Sequence, residues 1–240
     1  MRFPGEDALR RERRSFMKTI ESLTDEEFDH GHTLCDGWTP RDILAHVIGT
    51  NNLPYWFLRP TVLFGVRARR TASTPVYETL RIPLEPAEYP ATTRQSHVLQ
   101  RLLHIGQLVA DRGNGLTVRS TRDLPRGVLT LQGWYCADHL TPTARALAIL
   151  LLGDNAMHHQ DVLRGLGRQR DIPNEVASAL FREGRIWSWA FGAKQLHYRV
   201  FPTTPGGFPC GRGVPVAGTT EALALWLAGR RGIESELTFG

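Results

Sequence analysis

Lysine is almost missing from this chain: Lys18 and Lys194 are the only two, so a formal net charge of +5 over 240 residues is carried almost wholly by arginine. The arginines run from Arg2 to Arg231 without forming a stripe, and the densest groups are 10-RRERR-14 and 67-RARR-70. Clustered cations that neutralise phosphates are the main source of sequence-independent affinity for nucleic acid, so this spread argues against such a partner. Cysteine is scarce too. Cys35, Cys136 and Cys210 form no CxxC pair, and their odd number excludes a disulfide framework, which points to a reducing compartment. No apolar run reaches membrane-spanning length, and 1-MRFPGEDALRRERR-14 lacks the apolar segment of a secretory signal. The expectation is a cytoplasmic protein with no membrane partner.

With 41% hydrophobic and 22% charged residues, the composition is that of a soluble globular protein, long enough for one large domain or a domain with a small appendix. Leu9, Phe16 and Ile20 make a helical stripe over residues 6–22. The run 39-TPRD-42 reads as a helix start, with threonine to cap free N–H groups and proline suited to the first turn; the helix then runs from Pro40 to about Asn52. Prolines 60, 75, 83, 86 and 90 suggest a long irregular connection over 59–93, of the kind that forms a lid or binding loop. A third helix is expected over 93–112. A second irregular connection, with a short strand near 128-VLTL-131, is expected over 113–140. Thr141-Pro142 opens a long helix to Arg164 or Leu166, and another runs from Pro173 or Asn174 to about Phe191. After Gly192 a strand at 195–201, a loop at 202–213 and a helix at 219–230 complete the pattern. The predicted architecture is mainly α: a bundle of four long helices over residues 1–192, with a short C-terminal α/β segment over 193–240.

Polar groups interrupt the apolar stripes. Asp154 and His158 stack four residues apart on one face of the long helix, with Asp161 three beyond, and the same face continues back through Leu147 and Leu151. A carboxylate aimed into the core needs compensation, and a cation is one candidate. On the Pro40 helix, His46 is the inward polar residue of a stripe through Ile43, Thr50 and Leu53. Two helices of one bundle can hold His46, Asp154 and His158 around a common point. Three N/O ligands leave a coordination position open, the form of a catalytic site. A hydrogen-bonded core histidine remains the alternative on spacing alone.

The segment 35-CDGWTPRDILAHVIG-49 resembles a stretch characteristic of the mycothiol-dependent maleylpyruvate isomerase family, within the DinB-like bundle superfamily, and 154-DNAMHHQDVLRGLG-167 and 216-VAGTTEALALWLAGRRGIESEL-237 resemble two further family segments in the same order. The resemblance implies a DinB-like four-helix bundle, often with a small α/β C-terminal domain. It also implies a divalent metal, commonly zinc, whose ligands fall on His46, Asp154 and His158. Asp161 matches the family's aspartate after the ligand histidine and is expected to orient a ligand ring. Asp154 stands where the family usually has glutamate. His159 occupies a variable position, open to a substitute ligand, a role beside a ligand, or a place at the surface or between helices. The C-terminal piece looks shorter than a full family domain.

The chemistry that the resemblance implies is metal-dependent transfer of a low-molecular-weight thiol such as mycothiol, or thiol-assisted isomerisation, on a small electrophile. Arg41, Arg67 and Arg164 are candidate contacts for an acidic substrate. Alternatives are a metal-dependent hydrolase on the same three residues, or a metal- or ligand-binding regulatory module without turnover. Cys35 precedes the helix cap and is expected to pack under Trp38, itself an anchor of the loop in the core. A homodimer is a further candidate, since bundles with exposed apolar faces often pair.

Overall fold

In the computed structural model, which describes residues 3–51, 122–189 and 191–240, the apolar stripe of Leu9, Phe16 and Ile20 forms the buried side of α1, Glu6–Glu21. A short α2, Asp25–His30, starts at a capping box in which Thr24 and Glu27 satisfy each other's backbone N–H groups. It was not visible in the apolar pattern, because Phe28 is its single buried side chain. The Thr39 cap works as the sequence suggested: Thr39 Oγ1 accepts from the Asp42 backbone N–H, and Asp42 Oδ2 accepts from that of Thr39. Helix α3 then spans Pro40–Asn51.

The strand expected at 128–131 is instead part of α4, Arg126–Asp138. Val128 and Leu131 are exposed on it while Leu129 is buried, so the β-branched run reflects a helix with a thin inward edge rather than a two-sided strand. The long helix after Thr141 is split at Leu147, where the backbone leaves helical geometry, into α5, Pro142–Ala146, and α6, Ala148–Gly165. Helix α7 is Asn174–Trp187. The helix predicted at 93–112, the proline-marked connection and Arg67 lie outside the described residues.

The C-terminal segment holds strands β1, Tyr198–Pro202, β2, Cys210–Gly211, β3, Val214–Gly218, and β4, Thr238–Phe239, with α8, Thr220–Leu227, between the last two. The sheet order is β2-β1-β3-β4; β1 and β3 are parallel and the outer pairs antiparallel. To pass from β2 to β3 the chain must cross the start of β1. Gly213 does so at φ 97°, where a Cβ would lie 2.1 Å from the His197 carbonyl oxygen.

Two apolar clusters fill the interior. One gathers Phe16, Met17, Phe28, Trp38, Ile43, Leu44 and Leu129 from α1 to α4, with Val162 of α6. The other gathers Leu151, Leu152 and Met157 of α6 with Leu180 and Phe181 of α7, Val200 and Val216 of the sheet, and Leu225 and Trp226 of α8. Helix α6 therefore belongs to both, and every residue from Asn155 to Leu163 is buried. Its polar residues sit in the seam between the clusters. No described helix is long and apolar enough to cross a membrane.

Candidate metal centre

Three donor groups meet in that seam. His46 Nε2, from α3, lies 3.4 Å from Asp154 Oδ2 and 3.5 Å from Oδ1. His158 Nε2, one turn along α6, lies 3.6 Å from Asp154 Oδ1. The two imidazole rings meet edge to face with centroids 4.7 Å apart. Separations of this size are too long for strong hydrogen bonds. They suit donors sharing a small cation, since tetrahedral bonds of about 2.0–2.2 Å place neighbouring ligand atoms roughly 3.3–3.6 Å apart. Two imidazole nitrogens and one carboxylate are also a donor set that zinc accepts, with a position left over.

Electrostatics prepares two of the three donors. Burial pushes the His46 imidazole below its ordinary value and outweighs the pull of Asp154, so the ring is neutral and has a lone pair to give. Burial opposes ionisation of Asp154, but electrostatic attraction to the His46 ring, a hydrogen bond with it and the charges of His158 and Arg13 outweigh it and hold the carboxyl at about 2. His158 differs: burial opposes its charging, yet hydrogen bonds with Asp161 and Cys35 hold it well above its ordinary value.

The reason is the network behind it. His158 Nδ1 donates to Asp161 Oδ2 at 2.9 Å, which assigns the proton to Nδ1 and turns Nε2 toward Asp154. Asp161 is fully buried and receives Arg230 through Nε at 3.0 Å and Nη2 at 2.7 Å. The Cys35 thiol donates to Asp161 Oδ2 at 3.0 Å and lies 3.3 Å from Arg230 Nη2. Burial pushes this thiol up, so it stays protonated. Cys35, His158 and Asp161 form a second group whose ligand atoms converge. In it the guanidinium of Arg230 supplies the positive charge.

Trp38, which is buried as expected, closes one side. Its ring stacks on His158 with centroids 5.8 Å apart and planes 19° apart, and meets His46 at 5.4 Å. Glu183 of α7 is also buried, accepts from Trp187 Nε1 at 2.5 Å, and is raised to about 8 by burial and by the charge of Asp154.

The structure thus brings His46, Asp154, His158 and Asp161 together and sends the other described candidates elsewhere. His159 is fully buried between helices, with Nδ1 2.9 Å from Glu12 Oε1 and Nε2 2.8 Å from Thr19 Oγ1, and takes no part in the cluster. Arg41 is engaged by Asp29 at 2.8 Å and by the carbonyls of Arg122 and Leu124. Arg164 is engaged by Glu221 and Glu236 of the C-terminal segment, each at 2.5 Å. Cys35 does more than pack under Trp38, because its sulfur is part of the polar network. Arg230 and Glu183 escaped sequence reasoning. Arg230 stood in the quoted 226-WLAGRR-231 run, but spacing along the chain gave no sign that it reaches α6.

Comparison with known proteins bears on the fold and the family. A search of the curated proteins finds no match. Among solved structures, a histidine-to-alanine mutant of the mycothiol-dependent maleylpyruvate isomerase is similar at a TM-score of 0.53 and 14% identity, covering 99% of this chain and 93% of that one. A second structure of the mycothiol-dependent maleylpyruvate isomerase gives a TM-score of 0.49 at 15% identity, with the same coverage. The first of these similarities describes the fold, DinB-like and mainly helical with a small C-terminal sheet. The family described as "Mycothiol maleylpyruvate isomerase N-terminal domain" matches residues 9–163, which contain His46, Asp154, His158 and Asp161, and this chain belongs to that family.

Proposed function

We propose that the protein is a metal-dependent enzyme that uses a low-molecular-weight thiol of the mycothiol type to isomerise, or to become attached to, a small electrophilic substrate. The reading rests on one observation: His46 Nε2 and His158 Nε2, both on buried residues, each lie 3.4–3.6 Å from the carboxylate of the partly buried Asp154. Family membership supports it, as do the mycothiol-dependent isomerases of similar fold. A cytoplasmic location fits the three free cysteines.

In this reading His46, Asp154 and His158 hold a divalent ion, zinc by the chemistry of the donor set. When bound, such an ion lowers the pKa of a coordinated thiol and makes a nucleophile available at neutral pH. The protein's own groups do the rest. Asp154 brings the one negative charge of the donor set. Asp161 fixes the ring of His158 through Nδ1 and so keeps Nε2 for the ion. Trp38 covers the imidazole rings and keeps water from that side. A thiolate made available in this way would add to an electrophilic carbon of the substrate, giving an isomer if the sulfur leaves again, or a conjugate if the adduct takes back the proton that the thiol released.

Metal analysis and paired activity assays test this reading. Protein purified without chelator is expected to carry about one divalent ion per chain, lost in His46→Ala and Asp154→Ala, and to turn over a maleyl-type acid only when mycothiol is supplied. Absence of metal from the wild type would overturn the reading. Turnover of ester or amide panels without thiol would replace it with hydrolysis.

A further inference from the structure

We propose that Arg230 is a positioning residue of the metal centre, acting from the C-terminal segment through Asp161 on His158. The inference rests on the metal reading above and adds to it a group three residues beyond the end of α8. Four hydrogen bonds fix the geometry. Arg230 grips both oxygens of Asp161 side-on, through Nε to Oδ1 at 3.0 Å and Nη2 to Oδ2 at 2.7 Å. Its Nη1 donates to the Ala228 carbonyl at 3.0 Å, which ties the head of the side chain to its own backbone. Nη2 also meets Cys35 Sγ at 3.3 Å. A bidentate guanidinium–carboxylate pair with both side chains buried is the strong and geometrically specific form of this interaction.

The turn that delivers Arg230 is equally specified. Helix α8 ends with Gly229 at φ 83°, and the Arg230 N–H returns to the Leu225 carbonyl at 3.0 Å, the closing bond of a left-handed helix cap. A Cβ on Gly229 would lie 2.8 Å from the Phe191 ring, so glycine is needed for space as well as for conformation.

The consequence for the site follows from charge. Asp161 has no exposure to water, and an isolated carboxylate there would be costly. With Arg230 in place both of its oxygens are met by guanidinium N–H donors, at 3.0 and 2.7 Å. An anionic Asp161 accepts from His158 Nδ1 and leaves Nε2 for the cation shared with His46 and Asp154. Arg230 also occupies the cation position of the Cys35–His158–Asp161 group, so a second ion is kept out of donors that would otherwise converge. Without Arg230 the buried Asp161 carboxylate loses two donors and the brace that fixes its plane, and the ring of His158 is no longer held in one orientation.

The test is cobalt(II) titration of the full-length chain, with affinity from chelator competition and site geometry from the visible absorption bands, for wild type, Arg230→Lys, Arg230→Met, Asp161→Asn and the double variant. The expected result is one tight ion in the wild type, affinity lower by about 10- to 100-fold in Arg230→Met with altered bands, and partial recovery in Arg230→Lys. Because Arg230 acts through Asp161, Arg230→Met added to Asp161→Asn is expected to weaken binding by less than about 3-fold further. Thermal unfolding of the metal-free proteins identifies any variant that does not fold, and Arg230→Lys, the milder change, then decides. Unchanged affinity and bands in Arg230→Met and Arg230→Lys, or fully additive losses in the double variant, would overturn the inference while leaving the metal reading intact. Absence of binding by the wild type itself would sink the metal reading first.

Discussion

His158 and His159 are neighbours in the chain and serve opposite sides of α6: His158 Nδ1 bonds Asp161 in the seam with α3, while His159 Nδ1 bonds Glu12 on α1. The roughly 100° step between consecutive helical residues separates them. His159→Ala is expected to keep metal stoichiometry and to cost about 2–4 kcal/mol of stability, because it leaves Glu12 and Thr19 short of a partner and removes the edge contact with Phe16. His158→Ala should lose the metal instead. Denaturant unfolding and metal content, measured on both variants, check the pair; metal loss in His159→Ala would contradict the assignment.

Glu12 supplies an acid-sensitive contribution. Burial opposes its ionisation, but the hydrogen bond with His159 and the charge of Arg170 outweigh it and lower the carboxyl from 4.5 to about 2. A carboxyl depressed on folding stabilises the protein above its unfolded value and loses that contribution as pH falls through its folded value. The window is therefore about pH 4.5 down to about 2, with a span of roughly 3 kcal/mol. Unfolding of metal-free protein across this range is expected to show a decline that is smaller in Glu12→Gln, which starts from a lower plateau. An equal slope in both proteins would remove Glu12 from this role.

Much of this was legible in the sequence, for identifiable reasons. The stripe of Leu9, Phe16 and Ile20 and the caps at Thr39 and Thr141 specify helices locally, and each forms where expected. The inward set of His46, Asp154 and His158 was visible because each breaks an apolar stripe. What stayed hidden depends on contacts between distant segments. The Arg126–Asp138 helix looks like a strand because its exposed face carries Val128 and Leu131. Arg230 and Glu183 look like surface charges until the fold brings them beside α6, and Arg41 and Arg164 look available until Asp29, Glu221 and Glu236 reach them.

Trp38 carries both packing and site geometry, being 4% exposed and stacked on His158. Trp38→Ala is expected to cost about 3–5 kcal/mol, the range for emptying a large aromatic site in a core. Trp38→Phe should retain most of the stability and the metal. Melting temperature and metal content of the two variants check this; a Trp38→Ala protein as stable as wild type would show that the ring is not an anchor.

Arg164 fastens the C-terminal segment to the end of α6 through partly exposed ion pairs with Glu221 and Glu236. Arg164→Ala is expected to cost about 1 kcal/mol at low ionic strength and less in 0.5 M salt, approximately, since screening weakens such pairs. The KM for an acidic substrate should not move. A raised KM with unchanged unfolding would place Arg164 at the substrate after all.

The shared apolar cluster of α6, α7, β1, β3 and α8 has a consequence for how this protein can be divided. The family match stops at residue 163, two positions before the end of α6, yet Leu151, Leu152 and Met157 of that helix belong to one apolar cluster with Leu180, Phe181, Leu225 and Trp226. The stretch recognisable among relatives and the stretch that must fold together have different borders. Cutting at the first would strip one flank of α6 and expose its apolar side chains, so the α/β tail serves as part of the bundle's interior.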